Sequence, residues 1–199
     1  MSKTTKHQHF ALHKPYGYLS QFVVNGKQKK RNKLLGELYD FPAGTMAIGR
    51  LDRNSEGLLL LTTDGKVSYD ILSHNYEKEY YVQVDGSITE ETIQQLKEGV
   101  EISLEGAMYK TMPCEAKLMG APKRLPIENR ILRDARHGPM SWLSITLREG
   151  KYRQVRKMTA AVGFPTLRLI RVRIGTVKLT LPTGAVHPIE LLNEKPNFK

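Results

Sequence analysis

One short segment of the chain concentrates the groups that could do chemistry. Residues 49–57 read GRLDRNSEG, in which Asp52 lies between Arg50 and Arg53 on a glycine-bounded loop between two apolar segments. Neighbouring positive charge favours the ionised form of a carboxylic acid. An ionised, oriented carboxylate can stabilise an oxocarbenium-like sugar or attack its anomeric carbon. The alternative, from these residues alone, is a surface turn held by salt bridges.

Further candidates lie downstream. Tyr80 belongs to an alternating segment predicted as a strand, and Arg153, Arg156 and Lys157 belong to a predicted helix. By themselves, the tyrosine would be a core residue, and the basic group either a solvated helix face or an RNA contact. Cys114 is the only cysteine and is interpreted as a packing residue, which excludes intrachain disulfides and multi-cysteine metal sites.

The charge balance points to a polyanionic partner. Lysine and arginine number 31 against 20 acidic residues, a formal net charge of +11. Such an excess attracts nucleic acid through counterion release. An anionic membrane surface is the competing partner, but no segment shows a basic amphipathic pattern with an aromatic face. No apolar run approaches the ~20 residues of a spanning helix, and the N-terminus lacks a signal-peptide pattern. We therefore expect a cytoplasmic protein with no membrane contact.

The elements that must position these residues are hairpin-linked strands and a few helices. That mixture predicts an α+β fold rather than alternating βαβ units. The strands are expected at Phe10–Leu12, 18–24, 46–48, 58–62, 80–85, 143–147 and 167–174, and the helices at 34–39, 89–100 and 151–162.

The predicted domain boundaries leave one catalytic unit. Residues 1–7 are expected to be a disordered N-terminus, 8–190 a single domain, and 191–199 a C-terminal tail. Two basic segments interrupt the unit, at 27–33 and as a finger-like insertion at about 120–140; loops of the latter length are functional or disordered. Their basic residues are Lys27, Lys29, Lys30, Arg31 and Lys33, then Lys123, Arg124, Arg130, Arg133 and Arg136.

Five motifs in order resemble one enzyme family. GRLDRNSEGLLLLT, from Gly49, resembles the signature of the RsuA-type branch of the RluA/RsuA pseudouridine synthases. The others are KPYG at 14–17, KEY at 78–80, EGKYRQVRKM at 149–158 and LIRVRIG at 169–175. They resemble the family's KPxG, K-x-Y, EGxxRQVRRM and L-x-R-x-x-x-G elements.

The resemblance implies a fold and a set of site residues. The fold would be the pseudouridine synthase fold, a mixed, mainly antiparallel sheet in two lobes with a central catalytic cleft. Asp52 would be the catalytic aspartate, Tyr80 the active-site tyrosine and Arg156 the arginine that ion-pairs with the aspartate. The resemblance and the positive charge together assign substrate contacts to Arg50, Arg53, Leu169, Arg153, Lys157 and Lys14.

The implied reaction isomerises a uridine to pseudouridine. The nucleotide must flip out of the RNA stack, the N1–C1′ bond breaks, uracil rotates, and C5 bonds to C1′. Asp52 would stabilise or trap the ribose, and an acylal ester and a glycal route both stay open. Tyr80 could help to remove the C5 proton, directly or through water. Since the reaction involves neither redox chemistry nor hydrolysis, we expect no cofactor and no metal.

The expected substrate follows from the short segment before the first motif and from the likeness to one group of the family. Enzymes of this branch commonly carry an N-terminal S4 RNA-binding domain. Because the first family motif here begins at Lys14, we expect no S4 domain. The likeness is strongest to S4-less members that modify large-subunit rRNA, so 23S rRNA is the expected substrate and partner, with a monomer as the default state. The alternatives are a non-catalytic rRNA-binding or assembly protein and a tRNA pseudouridine synthase.

Overall fold

The computed structural model describes residues 6–24, 32–73, 76–123 and 138–191. This part of the chain contains eleven strands, three α-helices and a 3-10 turn at Leu35–Glu37. The strands are β1 His9–Lys14, β2 Met46–Ile48, β3 Glu56–Thr62, β4 Lys78–Asp85, β5 Glu101–Leu104, β6 Ala107–Lys110, β7 Glu115–Met119, β8 Met140–Leu147, β9 Thr166–Ile174, β10 Val177–Lys178 and β11 Val186–Ile189. The helices are α1 Gly65–Ser73, α2 Glu90–Glu98 and α3 Gln154–Ala161.

One sheet of nine strands organises the molecule. Its main path runs β11-β1-β3-β9-β4-β8-β7, while β2 pairs with β3 and β10 pairs with β9. The pairings are antiparallel except that of β3 with β9, which is parallel. Strands β5 and β6 form a separate hairpin. The α+β class and the mainly antiparallel mixed sheet expected from the sequence are both confirmed.

The core divides into two halves along this sheet. Around β3, alternate residues face opposite ways: Leu59 and Leu61 pack in one cluster, and Leu58 and Leu60 in another. Around β4 and β8 a third cluster packs against α2 and α3. Its buried members include Val82, Val84, Leu96, Leu143, Ile145, Met158 and Leu169. The two halves correspond to the two lobes predicted from the sequence.

The halves meet where β3 runs beside β9. The parallel ladder there pairs Glu56 with Ile170 and Gly57 with Arg171. Gly57 has a φ of 107°, and a Cβ at this position would lie 2.3 Å from the carbonyl oxygen of Arg171. Only glycine tolerates both this conformation and this closeness. The segment between β2 and β3, which contains Asp52, therefore enters the sheet beside this junction.

The helix predicted at 89–100 is observed as α2 at Glu90–Glu98. Thr89 caps α2 by accepting a hydrogen bond from the Thr92 amide at 3.3 Å. Ile93 and Leu96 are buried beneath the helix. The Cys114 thiol donates to the Leu96 carbonyl oxygen at 3.2 Å. Burial, with lesser contributions from nearby glutamates, raises the pKa of this thiol to about 11. Cys114 therefore stays protonated near neutral pH, as a packing residue would.

One predicted strand needs correction, and some elements were not predicted. The predicted strand at 18–24 is wrong, because Tyr18 forms an isolated parallel bridge with Lys33 and the segment instead braces the loop that carries Asp52. Helix α1 was not predicted, and just before it the Asp64 carboxylate accepts a hydrogen bond from the Lys66 amide at 2.8 Å. The sequence analysis also missed β5, β6 and β7, which lack a strong alternating pattern.

Several expectations fall on residues that the structure does not describe. These are residues 1–5, 25–31, 74–75, 124–137 and 192–199. They include most of the basic segment at 27–33, most of the insertion at 120–140 and nearly all of the C-terminal tail. Across the described ranges, none of the helices has the length and apolar character needed to cross a bilayer.

The junction leads to a stability prediction. Gly57→Ala should lower the free energy of unfolding by about 1–3 kcal/mol, because it adds both backbone strain and a clash with β9. Gly65→Ala is the matched control, since nothing lies within 4 Å of its added Cβ, and it should stay within about 1 kcal/mol of wild type. Urea unfolding followed by circular dichroism measures both variants. If Gly57→Ala were as stable as wild type, the close approach of β3 and β9 would not contribute to stability.

Candidate active site

The loop that carries Asp52 is held from outside by main-chain and hydroxyl groups. We call residues 49–55 the aspartate loop. Ser20, itself buried, donates its hydroxyl to the Leu51 carbonyl oxygen at 2.8 Å and accepts from the Leu51 amide at 3.0 Å. The Gly17 amide donates to the Arg53 carbonyl oxygen at 2.8 Å. The segment around 17–20 thus fixes the loop on one side. Sequence analysis missed Ser20, since a single serine carries no pattern.

Arg156, on α3, holds the other side of the aspartate loop. Its Nη2 donates to the Asn54 carbonyl oxygen at 2.5 Å and to Ser55 Oγ at 3.4 Å. Its Nη1 donates to the Thr166 carbonyl oxygen at 3.4 Å. Its Nε lies 3.9 Å from Asp52 Oδ2, and the side chain is only 12% exposed. This one guanidinium therefore links the loop, β9 and the carboxylate.

Arg153 makes the shorter contact with the carboxylate. Its Nη1 lies 3.3 Å from Asp52 Oδ2 and donates a hydrogen bond to it. The residue precedes α3 in a left-handed conformation, with φ of 52°. The sequence analysis gave the aspartate a single partner, Arg156, and made Arg153 a substrate contact. That assignment was incomplete, because two guanidiniums flank Asp52.

Glu149 fixes the turn from which Arg153 projects. Its Oε1 accepts hydrogen bonds from the Met112 amide at 2.8 Å and from Gln154 Nε2 at 2.5 Å. Its Oε2 accepts from the Tyr109 hydroxyl at 2.7 Å, and this bond raises the pKa of Tyr109. Sequence analysis included Glu149 in a motif but gave it no role. Its three donors show that it positions the turn before α3.

Tyr80 and Leu169 lie on the other side of the junction from the aspartate loop. The register across the sheet places Gly57, Arg171 and Tyr80 side by side on β3, β9 and β4. Tyr80 is half-buried and packs against the cluster that contains Leu169 and Val155. Since Val155 directly precedes Arg156, the tyrosine cluster and Arg156 share helix α3. An aromatic and apolar wall thus adjoins the charged group.

Lys14 is the predicted site residue that the structure contradicts. Its side chain is fully buried, and its Nζ donates to the carbonyl oxygens of Pro15 at 2.9 Å and Tyr18 at 2.7 Å. A buried ammonium committed to main-chain acceptors is not available to a phosphate. The prediction that Lys14 contacts the substrate is therefore wrong. Its role is to hold the turn whose next residues brace the aspartate loop.

The remaining predicted basic residues are exposed or half-buried. Arg50 and Arg53 are exposed, and Arg53 Nε approaches the Gly17 carbonyl oxygen at 3.4 Å. Lys157 donates to the Ser103 carbonyl oxygen at 2.5 Å. These positions suit contact with a polyanion, which stays a prediction for each of them.

A buried ion pair lies beneath the junction and was not predicted. Arg168 on β9 donates to Glu56 on β3 through Nε at 3.1 Å and Nη2 at 2.8 Å. Both side chains are buried. Nearby, burial lowers the pKa of His13, so this imidazole stays largely neutral at pH 7. Arg171 Nε adds a bond to the Leu58 carbonyl oxygen at 2.8 Å. Two arginines of β9 therefore reinforce a ladder of few backbone pairs.

The arrangement is suited to reaction at an electron-poor sugar carbon. Asp52 presents a carboxylate, 26% exposed, on a loop braced by Ser20, Gly17 and Arg156. Such a group can stabilise or trap an oxocarbenium-like centre. In the described ranges, no cluster of three or more His, Cys, Asp or Glu side chains could hold a metal ion.

Comparison with known proteins gives a consistent result. Residues 8–161 match the sequence model of the RNA pseudouridylate synthase family. The chain is 41% identical over 170 residues to "Ribosomal large subunit pseudouridine synthase E" of Xanthomonas axonopodis pv. citri, with 84% of this chain and 86% of that protein covered. It is 40% identical over 185 residues to the protein of the same name from Vibrio parahaemolyticus, with coverages of 90% and 73%.

Solved structures show the same fold. The match titled "Crystal structure of pseudouridylate synthase" has a TM-score of 0.72 at 28% identity, and it covers 96% of this chain and 73% of that one. The archaeal box H/ACA sRNP Nop10–Cbf5 complex matches with a TM-score of 0.52 at 17% identity, covering 86% and 48%; this likeness concerns the fold alone. The family resemblance read from the five motifs is confirmed.

The two arginines beside Asp52 should differ in importance. Arg156→Ala should lower the free energy of unfolding by about 1–3 kcal/mol and lower RNA turnover more than Arg153→Ala, because it releases the aspartate loop as well as the carboxylate. Arg153, 37% exposed, should cost at most about 1 kcal/mol of stability. Arg148→Ala, in an exposed ion pair with Glu77, is the control. Equal, mild losses of turnover for both variants would contradict this ranking.

Proposed function

The chain belongs to the RNA pseudouridylate synthase family, and we propose that it converts a uridine of 23S ribosomal RNA to pseudouridine, with Asp52 reacting at the ribose. The observation that carries the proposal is the Asp52 carboxylate between Arg153 and Arg156 on a braced loop. The choice of large-subunit rRNA is supported by relatives named for that activity.

The first step is extrusion of the target nucleotide. A stacked uridine hides its C1′ atom, so the base must leave the stack before Asp52 can reach the sugar. Arg50, exposed on the aspartate loop, would occupy the gap that the nucleotide leaves, stacking there and neutralising phosphate. The half-buried Tyr80 and the buried Leu169 would form the wall against which the flipped uracil rests.

The second step breaks one bond to C1′ and forms another. The electron pair of the N1–C1′ bond leaves with uracil, and positive charge develops on the ribose. Asp52 either bonds to C1′ as an acylal ester or assists a glycal route, in which the C2′ proton is removed and later restored. Uracil then rotates and C5 bonds to C1′; in the acylal route the C1′–O ester bond breaks in this step and returns its electron pair to the Asp52 carboxylate. The C5 proton is lost to solvent and N1 takes one up. Tyr80 would assist removal of that proton, directly or through water.

The affinity for RNA would come from the catalytic domain itself. We propose that residues 8–190 act as one catalytic domain, as a monomer in the cytoplasm. In this arrangement the basic segments at 27–33 and 120–140 supply phosphate contacts that orient the RNA without reading its sequence. Arg53 and Lys157 would extend the same basic surface to the rim of the site.

Replacing the proposed reactive group tests the mechanism directly. Asp52→Asn should reduce pseudouridine formation by more than about a thousandfold, the scale of loss for a catalytic group, while RNA affinity stays near wild type. Asp40→Asn, at an exposed position, is the matched control and should keep full activity. Carbodiimide mapping of rRNA and tRNA from cells with and without the gene identifies the target. Asp52→Asn turnover within tenfold of wild type would refute the mechanism, and a tRNA target would refute the rRNA assignment.

The basic insertion should govern affinity more than chemistry. Changing Lys123, Arg124, Arg130, Arg133 and Arg136 to glutamine should weaken rRNA binding and flatten its log–log salt slope by about 0.7–0.9 for each phosphate that is no longer neutralised. Turnover at saturating RNA should change little. A control with an equal change of charge replaces five exposed lysines, Lys66, Lys97, Lys110, Lys117 and Lys178. If both variants have the same affinity and salt slope, the insertion does not make the main phosphate contacts.

A further inference from the structure

An aromatic ring beside the site is left outside the core. Tyr152 is 71% exposed and lies in the turn that leads into α3. The next residue, Arg153, contacts Asp52 Oδ2 at 3.3 Å. Tyr152 is thus the chain neighbour of a residue that contacts the reactive carboxylate. Its position, rather than its exposure alone, makes it a candidate for contact with substrate.

A lysine supports one face of that ring. Lys157 Nζ lies 5.3 Å from the ring centroid of Tyr152, and the same ammonium donates to the Ser103 carbonyl oxygen. The bond to Ser103 ties the lysine to the hairpin of β5 and β6, so the cation is held in place. An ammonium has three donors, and Ser103 takes one of them. Since 71% of Tyr152 is exposed, the ring keeps surface open to a ligand despite this contact.

The turn below the ring is itself rigid. Glu149 accepts hydrogen bonds from Met112, Gln154 and Tyr109, and Lys151 Nζ lies 5.0 Å from the centroid of the Tyr109 ring. The turn that carries Tyr152 is therefore fixed from both ends. A ring on a fixed turn can receive a planar ligand with little loss of conformational entropy.

We propose that Tyr152, supported by Lys157, is a stacking platform for an unpaired nucleotide next to the target uridine. The inference rests on the proposed function, because flipping one nucleotide separates its neighbours from their stack. A base can stack on the exposed surface of the ring. The cations of Lys151, Arg153 and Lys157 give the surroundings the charge that a sugar–phosphate chain requires.

The chain offers a matched control for exposure. Tyr69 is 72% exposed, but it lies on α1, which packs against β2 and β3 in the other half of the sheet. If exposure of a tyrosine were enough to bind RNA, both rings would contribute. If Tyr152 is a stacking platform, only the Tyr152 ring should contribute to RNA binding.

The test compares three variants in two binding assays. Tyr152→Ala, Tyr152→Phe and Tyr69→Ala are titrated against single-stranded oligouridylate and against the same strand paired with oligoadenylate, with fluorescence anisotropy as the readout. Tyr152→Ala should weaken single-strand binding about tenfold, which is about 1.4 kcal/mol, and leave duplex binding within about twofold. Tyr152→Phe and Tyr69→Ala should bind both probes like wild type. Thermal melts confirm that each variant is folded.

Each other outcome overturns the platform. If Tyr152→Ala binds the single strand within twofold of wild type, Tyr152 makes no stacking contact. An equal loss for single strand and duplex assigns the residue to phosphate binding. A loss in Tyr152→Phe as large as in Tyr152→Ala assigns the effect to the hydroxyl group. Pseudouridine formation by wild type on rRNA is measured in parallel, so that failure of the proposed function shows as absent product whatever the binding assays give.

Discussion

The parallel contact between β3 and β9 sets the geometry of the site and of both halves of the sheet. Its ladder pairs Glu56 with Ile170 and Gly57 with Arg171, and it joins two separately packed halves. Gly57 lets the two backbones approach more closely than any side chain would permit. The aspartate loop ends at this contact, so the position of Asp52 relative to α3 is set by the way the two halves meet.

Side chains compensate for the small number of backbone bonds at this contact. Arg168 forms two hydrogen bonds with Glu56, and Arg171 bonds to the main chain of β3. Buried ion pairs do little for net stability compared with apolar packing, but removal of one partner leaves an uncompensated charge and is costly. This property favours one alignment of β3 against β9 over alternatives. A fixed alignment matters here because Asp52 and Arg156 reach the site from opposite sides of the junction.

Charge is organised at two levels in the molecule. At the site, two guanidiniums flank one carboxylate, and each is held by further contacts: Arg156 by main-chain oxygens of the aspartate loop and β9, Arg153 by the turn that Glu149 fixes. Over the whole chain, an excess of 11 positive charges attracts RNA over distances set by screening. In the proposed function the first arrangement would serve chemistry at one atom and the second would bring a polyanion to it, so residues of the same type would have separate roles.

The α+β class, the family and the segment that carries Asp52 could all be predicted from the sequence, because local motifs and alternating strands are encoded by neighbouring residues. Helix α2 was predictable for the same reason. The folded structure was needed to show that Lys14 is buried, that Ser20 braces the aspartate loop, and that Arg153 lies nearer to Asp52 than Arg156 does. Those contacts join residues far apart in the chain, and Arg153 reaches the carboxylate from a left-handed turn that Glu149 stabilises. A single sequence encodes which side chains are present, but the meeting of β3 with β9 decides which of them touch.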